Sequence, residues 1–211
     1  MSTSHRRADS QRFDAEIWYP AQCSPYDSFL EIGCGDGAFL AYLAGRKVSR
    51  FLGIDPDPAL AEAMPPQLRP HFSCRDAWQL LADPDAGPYD RVIVAGMLEH
   101  LTPEDGARLL DTLRPRLNEG ARVIALVPNA ASPWGLSGRH GDLCRRTAFT
   151  PASLGQLAAQ AGYDLAATWP QRIGSRRRML TDALVHRFLS WALLDPPALW
   201  SANFYGMLIS R

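Results

Sequence analysis

The stretch FLEIGCGDGAFL, residues 29–40, sets glycines at 33, 35 and 37 directly after one apolar run and directly before another. Such a run reads as a buried strand that turns into a helix, with glycine wherever backbone must lie close against a ligand. As G-x-G-x-x-A (Gly33, Gly35, Ala38) the turn meets the fingerprint of a dinucleotide site. Asp55, 20 residues after Gly35, stands where an acid grips a ribose diol. Glu31, two residues before the first glycine, points elsewhere. A carboxylate beside this turn repels a pyrophosphate and suits a ligand with a cationic group.

Outward from the turn, short apolar runs ending in polar or turn-forming residues predict strands at 28–33, 50–55, 71–74, 89–96 and 121–127. Helices are expected at 38–44, 58–64 and 103–116, with a short turn near 78–81; Thr102 caps the third, with Pro103 at its first position. A Pro/Gly/Ser-rich loop, 128–146, leads to a helix at 150–161 capped by Thr150. Two last strands, 163–169 and 200–210, suit a hairpin-like edge with an antiparallel member. The fold class is therefore α/β: a Rossmann-like open sheet of about seven strands, mostly parallel, helices on both faces and ligands at the strands' C-terminal ends. Residues 1–27 read as an N-terminal cap segment, and 28–211 as one domain with a helical insert at about 174–197.

Composition fits one domain with a real core: 211 residues, 46% of them hydrophobic. The formal net charge is zero, from 22 basic and 22 acidic residues, so no overall field draws the chain to nucleic acid or an anionic membrane. Cys23, Cys34, Cys74 and Cys144 form no C-x-x-C pair, which argues against a zinc cage or a disulfide framework. No metal is expected. The N-terminus is polar, and no uncharged stretch reaches the about 18 residues of a membrane span. A soluble, cytoplasmic protein without stable membrane insertion, monomer or homodimer, is the expectation.

S-adenosylmethionine has the cationic aminoacyl group that Glu31 would hold. Asp55 ends the second strand in GIDP, where its two oxygens can accept both ribose hydroxyls. Asp76-Ala77 follows the third strand, a carboxylate for the adenine amino group and a small residue that leaves the ring room. With E-I-G-C-G-D-G, G-I-D-P, D-A, E-H-L after the fourth strand, V-P-N after the fifth and T-A-F-T-P-A-S-L-G-Q-L-A-A-Q-A-G-Y beyond, residues 29–163 resemble class I S-adenosylmethionine-dependent methyltransferases. The resemblance is to the broad family of quinone-biosynthetic and saccharide or natural-product enzymes. It implies S-adenosyl-L-methionine as cofactor and adds Cys34, Gly37, Pro56 and Ala95 to the cofactor contacts.

The resemblance implies methyl transfer by in-line displacement, in which the enzyme's main task is positioning. His100, after Glu99 at the mouth of the fourth strand, is the candidate base; it could instead cap a helix or pack under the cofactor. Aromatic and polar residues flanking the core, Trp18, Tyr19, Trp134, His140 and Arg145, are the candidate contacts for a small-molecule acceptor, oxygen ahead of nitrogen. Each tryptophan could equally pack its segment onto the sheet. Relatives often carry His where this chain has Arg145-Arg146, and an arginine there binds an acidic substrate or forms a salt bridge. In the insert, apolar residues at helical spacing follow Arg176–Arg178; a lid packed on the core is favoured over a membrane-surface helix or a dimer contact. A peptide-directed enzyme, a non-catalytic binding module and an NAD-type oxidoreductase are the competing readings.

Overall fold

The structure, a computed structural model, describes residues 10–172, 174 and 176–211; the side chains of 137–140 and 176 lie outside that description. The strands are β1 (Ser28–Ile32), β2 (Arg50–Ile54), β3 (Phe72–Ser73), β4 (Tyr89–Ala95), β5 (Leu117–Pro128), β6 (Tyr163–Pro170) and β7 (Asn203–Ser210). They form one seven-stranded sheet in the order β3-β2-β1-β4-β5-β7-β6. β7 runs antiparallel to both β5 and β6, and the other pairings are parallel. The antiparallel strand therefore lies inside the sheet, and β6 forms the edge.

The helices are α1 (Ala38–Gly45), α2 (Pro58–Ala63), α3 (Ala77–Ala82), α4 (Pro103–Leu113), α5 (Pro133–His140), α6 (Pro151–Gln160) and α7 (Arg176–Ala192). Their starts follow from local chemistry. Asp57, Asp76, Thr102 and Thr150 each accept an amide of the first turn, and Pro at the first or second position suits α2, α4 and α6. α4 stops at Leu113 because Pro115 cannot continue it, and the chain tightens into a 3₁₀ turn at Arg114–Arg116. β3 is shorter than expected because His71 is drawn into a 3₁₀ turn behind Pro70.

Alternate strand residues feed two cores. Ile32, Val92, Val94 and Val123 meet Leu80, Leu109, Leu113 and Leu157 on one face. Phe29, Ile93 and Ile124 meet Phe39, Leu40 and Leu43 of α1 on the other. Each fully buried side chain of this size contributes about 1.5–3 kcal/mol. The second core also takes in Phe13, Ile17 and Trp18, around a π-helical turn at Asp14–Trp18. The described part of the N-terminal segment is thus built into the domain. Buried Glu16 fixes it: Tyr205 Oη and the Arg172 amide donate to its carboxylate at 2.9 and 2.7 Å, and Trp169 Nε1 donates to its carbonyl at 2.8 Å.

α5 lies inside what reads as loop. Gly135 lets it sit there, because a Cβ at that position would fall 1.9 Å from the Asn129 carbonyl oxygen. Gly135→Ala should therefore cost about 1–3 kcal/mol of stability, as overpacking does, read as a lower urea midpoint at unchanged slope.

Candidate active site

In the parallel register Ile32 pairs with both Ile54 and Val94, so the ends of β1, β2 and β4 lie in one row. The glycine turn rises from that row. Gly33 adopts φ +80°, and a Cβ there would lie 2.7 Å from the Ala95 carbonyl oxygen; its amide donates to the Ile54 carbonyl at 2.9 Å. Only glycine gives both that dihedral and that approach. Gly37, at φ +76°, has Met64 Sδ where a Cβ would go, at 2.8 Å, and so seats α1. Over Gly35, at φ +52°, a Cβ would meet nothing within 4 Å. The turn is packed below and open above.

Gly53, inside β2, was not legible as part of this site. Its missing Cβ leaves room for Cys34, whose Cβ and Sγ would lie at 2.9 Å, and for Leu40 at 2.7 Å. A glycine within a strand pattern is the signal for such a close approach. The Cys34 side chain thus points under the turn, and its thiol is pushed up to about 12 by burial and then by the Glu31 and Asp55 carboxylates. It is no nucleophile there.

Asp55 directly follows β2, beside the turn. One carboxylate oxygen accepts the Gly35 amide and the other the Asp57 amide, each at 3.1 Å. Each oxygen keeps a second acceptor direction for a ligand hydroxyl. Pro56 follows, exposed, with its carbonyl 3.8 Å from Cys74 Sγ. Asp76 caps α3 through Oδ1, which accepts the Gln79 amide at 2.8 Å, and Ala77 beneath it is buried.

Glu31 is the anomaly of the site. It is 7% exposed, and its Oε2 has no hydrogen-bond partner among the described residues. Burial, then the neighbouring Asp36 and Asp55 carboxylates, hold its carboxyl well above the usual range. An orphaned buried acid beside an open glycine turn fits a ligand that brings a cation and hydrogen-bond donors. These residues suit the aminoacyl end of S-adenosylmethionine, with Asp55 at its ribose.

His100 closes a 3₁₀ turn, Leu98–His100, after β4. Its Nδ1 lies 3.3 Å from the Cys144 carbonyl oxygen. A carbonyl only accepts, so Nδ1 carries the proton and Nε2 of the neutral ring presents a lone pair. The Glu99 carbonyl accepts the Arg146 and Thr147 amides at 2.7 and 3.1 Å, which ties the loop to this turn. The Glu99 carboxyl is buried, and burial raises it against the pull of its own amide, His100 and Arg145. Arg145 pairs with Asp142, Nε to Oδ2 at 3.6 Å. His100, Glu99 and Arg145 are thereby gathered at one place.

The aromatic candidates divide. Trp134, half-exposed, donates through Nε1 to His186 Nε2 of α7 at 3.3 Å, and His186 stacks on Trp200 with ring centres 5.1 Å apart. The His140 side chain lies outside the described residues. Trp18 is buried parallel to Phe29, with the Arg46 guanidinium over its indole, and Tyr19 follows it, exposed. Both sit toward the Arg46 end of α1, about 12 Å of helix from the glycine turn at 1.5 Å per residue. Trp18 is taken up by packing on Phe29 of β1, and the exposed Tyr19 lies beside it at the same end of α1.

The strand order, the open glycine turn and the paired acids of β1 and β2 define a class I, S-adenosylmethionine-dependent methyltransferase. The sequence agrees: residues 5–168 match a family described as a methyltransferase domain, and the chain belongs to it. No curated protein matches the sequence. Among solved structures it is similar to a SAM-dependent methyltransferase from Archaeoglobus fulgidus, at TM-score 0.69 and 18% identity over 96% of this chain and 93% of that one. It is also similar to magnesium protoporphyrin IX methyltransferase from Synechocystis PCC 6803 with bound SAM, at TM-score 0.60 and 14% identity over 98% and 80%. A third is an O-methyltransferase from neocarzinostatin biosynthesis in complex with S-adenosylmethionine and 2-hydroxy-5-methyl naphthoic acid, at TM-score 0.62 and 15% identity over 99% and 57%. The chain spans little more than half of that last protein.

Proposed function

We propose that this enzyme methylates an oxygen of a small-molecule acceptor without a metal, with His100 as base. The observation that carries the cofactor half is the orphaned carboxylate of Glu31 under an open turn. The observation that favours the base is the Nδ1 contact to the Cys144 carbonyl, which leaves Nε2 as a proton acceptor.

When bound, the cofactor supplies an activated sulfonium methyl. Glu31 holds the aminoacyl end by charge and Asp55 the ribose, and the amides that pin the Asp55 carboxylate fix its direction before the ligand arrives. Asp76 offers Oδ2 to the adenine amino group while Oδ1 caps α3. His100 Nε2 would take the acceptor's hydroxyl proton, while the bound donor would give up its methyl to that oxygen by cleavage of its sulfur–methyl bond and leave as S-adenosylhomocysteine. Arg145 orients an acidic group of the acceptor, and Trp134 contributes an aromatic wall.

Calorimetry with S-adenosylhomocysteine and with NADH tests the cofactor, since binding of NADH alone would return the chain to the oxidoreductases. Labelled methyl transfer into a metabolite extract tests the acceptor, and label found only in protein would redirect the reading to peptide substrates. His100→Ala should lower kcat by about 10²–10⁴ with cofactor affinity unchanged; a loss below about tenfold removes it as base.

A further inference from the structure

α7 carries its apolar stripe on the wrong side for a lid. Leu180, Leu184, Phe188 and Trp191 follow one another at helical spacing and are all exposed, Phe188 at 61% and Trp191 at 81%. The face turned to the protein is a different one. It bears His186, which contacts Trp134 and Trp200, and Ser190, whose hydroxyl accepts Trp200 Nε1 at 2.8 Å. Packing on the core, the favoured expectation, is met by this other face, which also carries half-buried Met179 and Leu189, and it leaves the stripe uncovered.

Two arginines share the outward stripe. At 3.6 residues per turn Arg177 falls in line with Leu184 and Phe188, and Arg187 falls beside Leu180. The one acid in the helix, Asp182, is on the opposite side, 3.4 Å from His186 Nδ1. A second copy docked stripe to stripe would therefore set arginine against arginine, or against bare apolar surface, with no carboxylate in either stripe to pair it. Anionic headgroups neutralise the same charges, and arginine stems lie along apolar surface while their heads reach outward. No helix among the described residues is long and apolar enough to cross a membrane, so the contact is with its surface.

We propose that α7 docks the enzyme on an anionic lipid surface through Leu180, Leu184, Phe188 and Trp191, with Arg177 and Arg187 at the headgroups. β6 ends and β7 begins at the sheet edge that carries the glycine turn, so the insert hangs from the ligand side of the molecule.

Flotation of the full chain with vesicles of phosphatidylcholine alone, or mixed with phosphatidylglycerol, tests this. The chain should float with the mixed vesicles and release as salt is raised. F188E/W191E should partition roughly a hundredfold more weakly. R177Q/R187Q should lose about thirtyfold on the mixed vesicles alone, at the strength of one headgroup attraction per arginine. S-adenosylhomocysteine binding by both variants checks that they fold. Failure to float with the mixed vesicles, or flotation of both variants like the parent, overturns the proposal. So does a concentration-dependent dimer without lipid that F188E/W191E abolishes, because the stripe would then belong to a second copy.

Discussion

Glu31→Gln is expected to make the cofactor-free protein more stable at neutral pH while weakening S-adenosylhomocysteine binding by about a hundredfold or more. The two effects share one cause. Glu31 is buried without a partner for Oε2, and burial with the Asp36 and Asp55 carboxylates raises its carboxyl above the usual range. An unfolded glutamate ionises near about 4.3. Above that pH the unfolded chain gives up a proton that the folded chain retains, so folding loses free energy as pH rises from the unfolded value to the raised one. The destabilisation is complete above the raised value. Glutamine has the same shape and no proton to lose, so urea melts of the variant should lack this slope and show greater stability at pH 7.

Binding reverses the balance. The ligand's ammonium group needs an ionised partner, so the cofactor drives the proton off Glu31 and affinity should fall as pH drops through the raised value. Breaking a buried pair by removing one partner typically costs about 3–5 kcal/mol, which sets the expected loss for the variant. Calorimetry in buffers of different ionisation enthalpy should register proton release on binding by the parent, growing as pH falls below the raised value, and none by the variant. Equal affinity of parent and variant would mean that Glu31 is a misfit of the core and that the cationic group binds elsewhere.

Much of this site could be read from residues 29–40 and Asp55 because the requirements there are local. A strand ending in a glycine turn, and an acid one strand later, declare themselves through backbone freedom and charge. The same holds for the helix caps, where Thr102, Thr150 and the following prolines act within one turn. α5 was illegible because Gly135 and Gly138 oppose helix locally, and the close seat of Gly135 on Asn129 and Ala202 is a long-range contact. Trp18 could not be assigned to core or pocket, since its neighbours Phe29 and Arg46 come from distant sequence. The insert shows the limit of periodicity most directly: a stripe at helical spacing marks a face that wants cover and does not say whether the core supplies it. The placement of β7 between β5 and β6 rests likewise on long-range register.

Asp55→Ala should reduce cofactor affinity by about 10²–10⁴, the worth of two charge-assisted hydrogen bonds at roughly 1.5–3 kcal/mol each. It should also cost about 1 kcal/mol of stability, because the Gly35 and Asp57 amides lose their acceptor. Asp55→Asn separates these roles. Its side-chain carbonyl can still take the Gly35 amide, which keeps the turn in place, but the amide nitrogen opposes Asp57 and the charge that strengthened both ribose contacts is gone. The asparagine variant should therefore stay near the parent in urea midpoint and near the alanine variant in affinity for S-adenosylhomocysteine. The opposite pattern, with stability lost and affinity kept, would make Asp55 a strut for the glycine turn and move the ribose contact to another residue.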